Sequence, residues 1–123
     1  MSRNILVRAE PLKSLAFGDI GVNYVALKDA YNVDQFKHFI RIIRFQNLTD
    51  KTLSVSYDGI DEHEKVVAGS FFLFDYATNT LGADNEFFVG YNSRIYVKHE
   101  GDAPTLGEVC CSAYYAEGDG LGG

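Results

Sequence analysis

The densest gathering of chemically capable side chains in the sequence is Asp58-Gly-Ile-Asp-Glu-His-Glu64, four carboxylates and an imidazole within seven residues. Oxygen donors at that density could ligate a calcium ion. Their spacing is not Asp-x-Asp-x-Asp-Gly, and Asp58-Gly59 is what a tight turn asks for, so the stretch reads as a solvated acidic loop. His38, His63 and His99 lie far apart, with no spacing that would bring two to one metal. Ser70 follows Gly69 without the Gly-x-Ser-x-Gly elbow of an activated serine. Cys110 and Cys111 fall in a strand-like run where packing is the default role. Asp58, Asp61, Glu62 and Asp75 could supply a carboxylate pair for glycoside hydrolysis, as any acidic chain could. These residues point to no enzyme, no metal and no cofactor. Tyr91, Tyr96 and Tyr114 are a different case, able either to stack on sugar faces or to sit at a protein interface, where aromatics are enriched.

The elements that would carry these groups are strands. From Leu53 to Asp58 apolar and polar residues alternate, with Leu53, Val55 and Tyr57 on one pleat face and Ser54, Ser56 and Asp58 on the other, the pattern of a half-buried strand. Arg94–His99 repeats it, with Ile95 and Val97 inward and Arg94, Tyr96 and Lys98 outward. Tyr24–Leu27, a run beginning near His38, residues 86–89 and residues 108–116 add further strands. Phe71–Phe74 is apolar on both faces, so it is either a central strand covered on both sides or one whose second face meets another subunit. Asp34–Ile40 could make one helical turn with Phe36, Phe39 and Ile40 on a face, but the strand that follows leaves no room for a helix of ordinary length.

Seven or eight short strands at this spacing predict an all-β fold, an antiparallel β-sandwich of jelly-roll or immunoglobulin-like kind, with a small closed barrel as the competing architecture. A chain of 123 residues supports a single core. Three parts are expected: a flexible N-terminal arm over residues 1–19, the sandwich over 20–116, and a disordered Gly-rich tail over 117–123. Cys110 and Cys111, adjacent in a strand, should face opposite ways as free thiols. Reduced thiols and the absence of a secretory signal lead us to expect assembly in a cytosol. Ile5-Leu6-Val7 is too short for a signal core or a membrane span. A formal charge of −6 and a pI near 4.9 argue against nucleic acid as a partner.

From Arg41 onward a longer order of features emerges: Arg41-Ile-Ile-Arg-Phe-Gln-Asn-Leu-Thr-Asp50, Leu53-Ser-Val-Ser-Tyr-Asp-Gly59, His63, and Val67-Ala-Gly-Ser-Phe-Phe-Leu-Phe-Asp75. It continues through Phe87-Phe-Val89, Ser93-Arg-Ile-Tyr-Val-Lys98, Ala103-Pro-Thr105, Gly107-Glu-Val109 and Ala113-Tyr-Tyr-Ala116. Over about residues 15 to 116 this resembles small β-sandwich virion structural proteins of tailed bacteriophages. Val89-Gly-Tyr-Asn92 and Cys110-Cys111 depart from that pattern. The resemblance brings no catalytic residues with it. It implies a virion protein assembled in the host cytoplasm and present in many copies as a homo-oligomer. Its partners would be the major capsid protein, for a decoration or cement protein on the capsid exterior, or neck and tail proteins, for a ring or collar; a carbohydrate-binding module using Tyr91, Tyr96 and Tyr114 is the reading of another class. No membrane partner is implied. The residues expected to dock are the arm (Ile5, Leu6, Val7, Leu12, Leu15, Phe17), ordering on a neighbour, and the doubly apolar run (Phe72, Phe74, Tyr76).

Overall fold

The alternating runs all become strands. The computed structural model describes residues 6–75 and 93–117, and over these the chain forms β1 (Leu6–Ala9), β2 (Lys13–Ala16), β3 (Val25–Ala26), β4 (Ile42–Asn47), β5 (Leu53–Ser56), β6 (Glu64–Val66), β7 (Phe71–Asp75), β8 (Tyr96–His99) and β9 (Glu108–Glu117). A 3-10 turn, Phe17–Asp19, joins β2 to the segment leading into β3. Every pairing is antiparallel. One sheet runs β1-β9-β4-β7, with β2 also on β9, and the other runs β3-β8-β5-β6. The two pack together as the expected β-sandwich.

The core is the set of inward residues from both sheets. Ile43 and Phe45 of β4 and Val109, Cys111 and Ala113 of β9 meet Leu53 and Val55 of β5, Val66 of β6 and Val97 of β8. Ile20, Leu27, Phe36, Ile40 and Ile95, outside the strands, complete it, while Phe39 is exposed. Each buried Val, Leu, Ile or Phe side chain of this set stabilises the fold by about 1.5–3 kcal/mol. Asp34–Ile40 is indeed not helical, although two of its apolar residues reach the core.

The N-terminal segment departs from expectation. Residues 6–16 are not an arm beside the sandwich: β1 pairs with Tyr114–Glu117 and β2 with Glu108–Cys111, so together they occupy one edge of the long strand β9. Two buried charges hold them there. A Glu10 carboxylate oxygen accepts from the Lys37 and His38 N–H groups, both at 2.9 Å, and lies 2.9 Å from His38 Nδ1. The His38 ring stacks on Tyr115, with centroids 3.5 Å apart. Lys13 Nζ donates to the carbonyls of Val33 and Gln35, each at 3.2 Å, and stands 3.9 Å from Asp29. The sandwich therefore begins before residue 20. At the other end Glu117 closes β9; residues 118–123 of the expected tail, Ile5 of the arm and the expected strand over 86–89 lie outside the described residues.

A second departure concerns β5, which is covered on both faces. Ser54 and Ser56 are as buried as Leu53 and Val55. Ser54 Oγ is 2.6 Å from the Tyr24 hydroxyl, and Ser56 Oγ donates to Asp58 at 2.8 Å while accepting from the Gly59 N–H. Hydroxyls can be buried because each one finds a partner.

Candidate functional site

The acidic loop after β5 is organised around its first carboxylate. Asp58 Oδ1 accepts from the N–H groups of Ile60 and Asp61 and from the Ser56 hydroxyl, at 2.8–2.9 Å. The Asp61 and Ile60 N–H groups and then the Ser56 hydroxyl hold this carboxyl at about 2. His63 closes the loop, its Nδ1 accepting the Tyr57 N–H at 3.0 Å and its own N–H donating to Val55. Lys65 lies within 4.0 Å of carboxylates of both Glu62 and Glu100. Burial pushes the Glu64 carboxyl up, opposed by His63. The carboxylates thus point to different local partners instead of converging. Among the described residues no three His, Cys, Asp or Glu side chains gather as metal ligands would.

Two more polar constellations hold loops. The buried Asn47 amide donates to the carbonyls of Lys51 and Val66 at 2.8 and 2.9 Å and accepts from the N–H and hydroxyl of Thr49 at 2.9 and 2.7 Å. Asp50, between β4 and β5, accepts from the N–H and hydroxyl of Thr105 in the loop before β9, and these two donors, the hydroxyl first, bring its carboxyl to about 2. Cys110 and Cys111 are free and buried on opposite faces of β9. Burial pushes both thiols up, Cys111 strongly, which leaves little thiolate for nucleophilic work.

The two outer faces of the sandwich differ. On the second sheet, Tyr24 lies over Ser54, Lys98 Nζ sits 4.7 Å from the Tyr24 ring centroid, and the Gly59 turn rests on Tyr96. Gly59 has φ of 79°, and a Cβ there would stand 3.2 Å from a Tyr96 ring carbon, so the backbone itself caps that ring. On the first sheet the outer face is open along β7 and at Arg44, and grades through half-buried residues to the buried Cys110 on β9. Its cross-strand rows are Phe71–Gln46–Cys110, Leu73–Arg44–Ser112 and Asp75–Ile42–Tyr114. Phe71 and Leu73 are 62% and 56% exposed, and Val7 of β1 is 64% exposed on the same face. The Arg44 guanidinium stands 5.9 Å from the Phe71 ring centroid.

These placements correct the expected docking set. Phe72 and Phe74 face inward, packed on the core: Phe72 stacks on Phe45 at 5.4 Å and Phe74 is the register partner of Ile43. The exposed pair on β7 is Phe71 and Leu73, because β4, whose inward residues are Ile43 and Phe45, sets the parity of the strand beside it. Of the arm residues, Val7 and Leu12 are well exposed and Phe17 is partly so, whereas Leu15 packs against the core and Leu6 opens β1. Tyr76 and Tyr91 lie outside the described residues. Tyr96 and Tyr114 belong to opposite outer faces of the sandwich and cannot share one glycan.

Compared with known proteins, the chain matches no family model, no curated protein and no solved structure.

Proposed function

We propose that the chain is a structural component of a tailed-phage virion, docking in many copies on the capsid exterior as a decoration or cement protein. The observation that carries this reading is the asymmetry of the outer faces: one is closed by the chain's own tyrosines and turns, the other leaves Phe71 and Leu73 of β7 exposed beside Arg44. An exposed apolar cluster rimmed by polar groups is what an interaction surface looks like, and a specific contact needs about 800 Å² per partner, which one sheet face supplies. The resemblance over residues 15 to 116 supplies the class of partner, the major capsid protein. A structural role is further supported by the engagement of Glu10, Asp50, Asp58 and His63 in holding loops.

The test is incorporation of the double variant Phe71→Ser, Leu73→Ser. Purified particles are expected to lose the variant while its urea midpoint stays at the parent value, since both side chains are exposed in the free domain. Imaging of labelled chain should find it on capsid faces. Label confined to the neck or tail would move the chain to a ring or collar, and normal incorporation of the double variant would remove this docking face.

A further inference from the structure

Strands β2 and β3 belong to different sheets yet begin as neighbours. The Ser14 N–H donates to the Lys28 carbonyl at 2.8 Å and the Lys28 N–H to the Ser14 carbonyl at 3.2 Å. An antiparallel ladder would continue by joining Ala16 to Ala26, two residues further on each side. It does not continue: the Ser14–Lys28 bridge is isolated, and the chain turns away through Phe17–Asp19. Between the two strands lies a cleft of about 570 Å³, whose lining includes Leu15, Ala16, Asp19, Val25, Ala26 and Lys28.

Alternation fixes which main-chain groups face that cleft. On the β2 side the Phe17 N–H donates to Gly107, beside β9, while Ser14 turns to Lys28. Lys13, Leu15 and Phe17 therefore bond towards β9, and Ala16, like Ser14, directs its N–H and C=O into the cleft. On β3 the Leu27 N–H donates to Ile95, beside β8, while Lys28 turns to Ser14. Ala26 shares the parity of Lys28 and faces the cleft from the opposite wall. The floor is apolar, formed by Leu15 and Val25, both packed against the core. Asp19 is exposed at the open end, and Lys28 stands at the end closed by the bridge. Asp29, also in the lining, is committed to Lys13 and to the Tyr31 and Val33 N–H groups.

We propose that this cleft takes an extended segment of a partner protein by strand addition, its main chain bonding to Ala16 on one wall and Ala26 on the other, with an aliphatic side chain on Leu15 and Val25 and a Lys or Arg at Asp19. The inserted strand runs antiparallel to one wall and parallel to the other, since β2 and β3 are themselves antiparallel at the bridge. A strand residue occupies about 160 Å³ at a rise of 3.3 Å, a lateral spacing of 4.8 Å and a face-to-face spacing of 10 Å, so the cleft holds about three to four residues. Main-chain pairing supplies the affinity and alternate side chains the selectivity, as in other strand additions. The inference does not depend on the virion reading.

The probe is an acetylated and amidated hexapeptide alternating valine and threonine and ending in lysine, titrated into the ¹⁵N-labelled full chain. Saturable shifts are expected at the amides of Ala16, Ala26 and their neighbours. Replacing Ala16 with proline deletes one wall's donor. Its φ of −71° and ψ of 156° already suit a proline ring, so the remaining spectrum should persist while affinity falls about tenfold. The same peptide with alternate amides N-methylated keeps every side chain and should not bind. No saturable shift at Ala16 and Ala26 with millimolar peptide overturns the proposal. So does equal binding of the methylated peptide, or unchanged affinity of the Ala16→Pro chain.

Discussion

Replacing Lys13 with methionine tests whether the N-terminal strands belong to the folded body. The lysine side chain is 1% exposed. Its ammonium group donates to two main-chain carbonyls at 3.2 Å, stands 3.9 Å from Asp29 and lies 5.1 Å from the centroid of the buried Phe36 ring. Methionine keeps most of the stem and removes the charge and the donors. The carbonyls of Val33 and Gln35 lose hydrogen bonds that contribute about 1 kcal/mol each. The Asp29 carboxylate keeps the N–H groups of Tyr31 and Val33, at 2.8 and 3.0 Å, so breaking this ion pair falls at or below the low end of the 3–5 kcal/mol range for buried pairs. Because the three contacts share one ammonium, the combined loss is about 3 kcal/mol. Urea unfolding followed by tyrosine fluorescence reads this as a midpoint lowered by about 1.5 M, for a slope near 2 kcal/mol/M. Asp29→Asn in the same background should add less than it costs alone, because residues in contact couple. A Lys13→Met chain within about 0.5 kcal/mol of the parent, the range of inert surface changes, would refute the reasoning and return residues 6–16 to the status of a detachable arm.

Asn47→Asp sets a carboxylate oxygen against the Lys51 and Val66 carbonyls in a fully buried site; a loss of at least about 3 kcal/mol is expected by the same unfolding assay. Gly107→Ala meets two obstacles, φ of 89° and a Cβ that would fall on the Leu48 carbonyl oxygen, so the variant should unfold at visibly lower temperature, by calorimetry, than Gly21→Ala, where the backbone is unstrained and nothing lies nearby. Asp50 and Asp58 titrate near 2 in the folded chain against an ordinary 3.8. Between about pH 4 and pH 2 the unfolded chain therefore binds more protons, so their contribution is complete above pH 4 and is lost as pH falls towards 2. Asp50→Asn with Asp58→Asn should flatten the acid limb of a urea-midpoint profile, and an unchanged limb would contradict the assignment.

What could be read from the sequence was what depends on local period. Ile95 and Val97 inward, with Arg94, Tyr96 and Lys98 outward, follow from alternation alone and hold in the fold, where the outward three are half-buried. Phe71–Phe74 shows the limit: four apolar residues in a row carry no parity signal, and only the register against Ile43 and Phe45 decides that Phe72 and Phe74 go in. The serines of β5 misled in the opposite sense, since polarity implied solvent while a tyrosine thirty residues away supplied a buried partner. Glu10 and Lys13 were the least legible. Two charges flanking Pro11 look like a solvated terminus, and their partners, the loop carbonyls and N–H groups of residues 33–38, have no side-chain signature.

Docking on the proposed face would be separable from stability, and the separation follows from where apolar surface lies. Phe72 and Phe74 pack on the core, so changing them confounds folding with assembly. Phe71 and Leu73 are exposed in the isolated domain and contribute little to its folding, yet burying each against a partner would contribute about 1.5–3 kcal/mol. That is too little to hold one domain firmly once the cost of association is met. Many weak contacts on a repetitive surface can nevertheless hold a set of copies when neighbours are linked, because each later contact is made at high effective concentration. Linkage between neighbours through an added strand at the Ala16–Ala26 cleft would supply that condition, using main-chain groups that the folded domain leaves unpaired and without disturbing the face that carries Phe71 and Leu73.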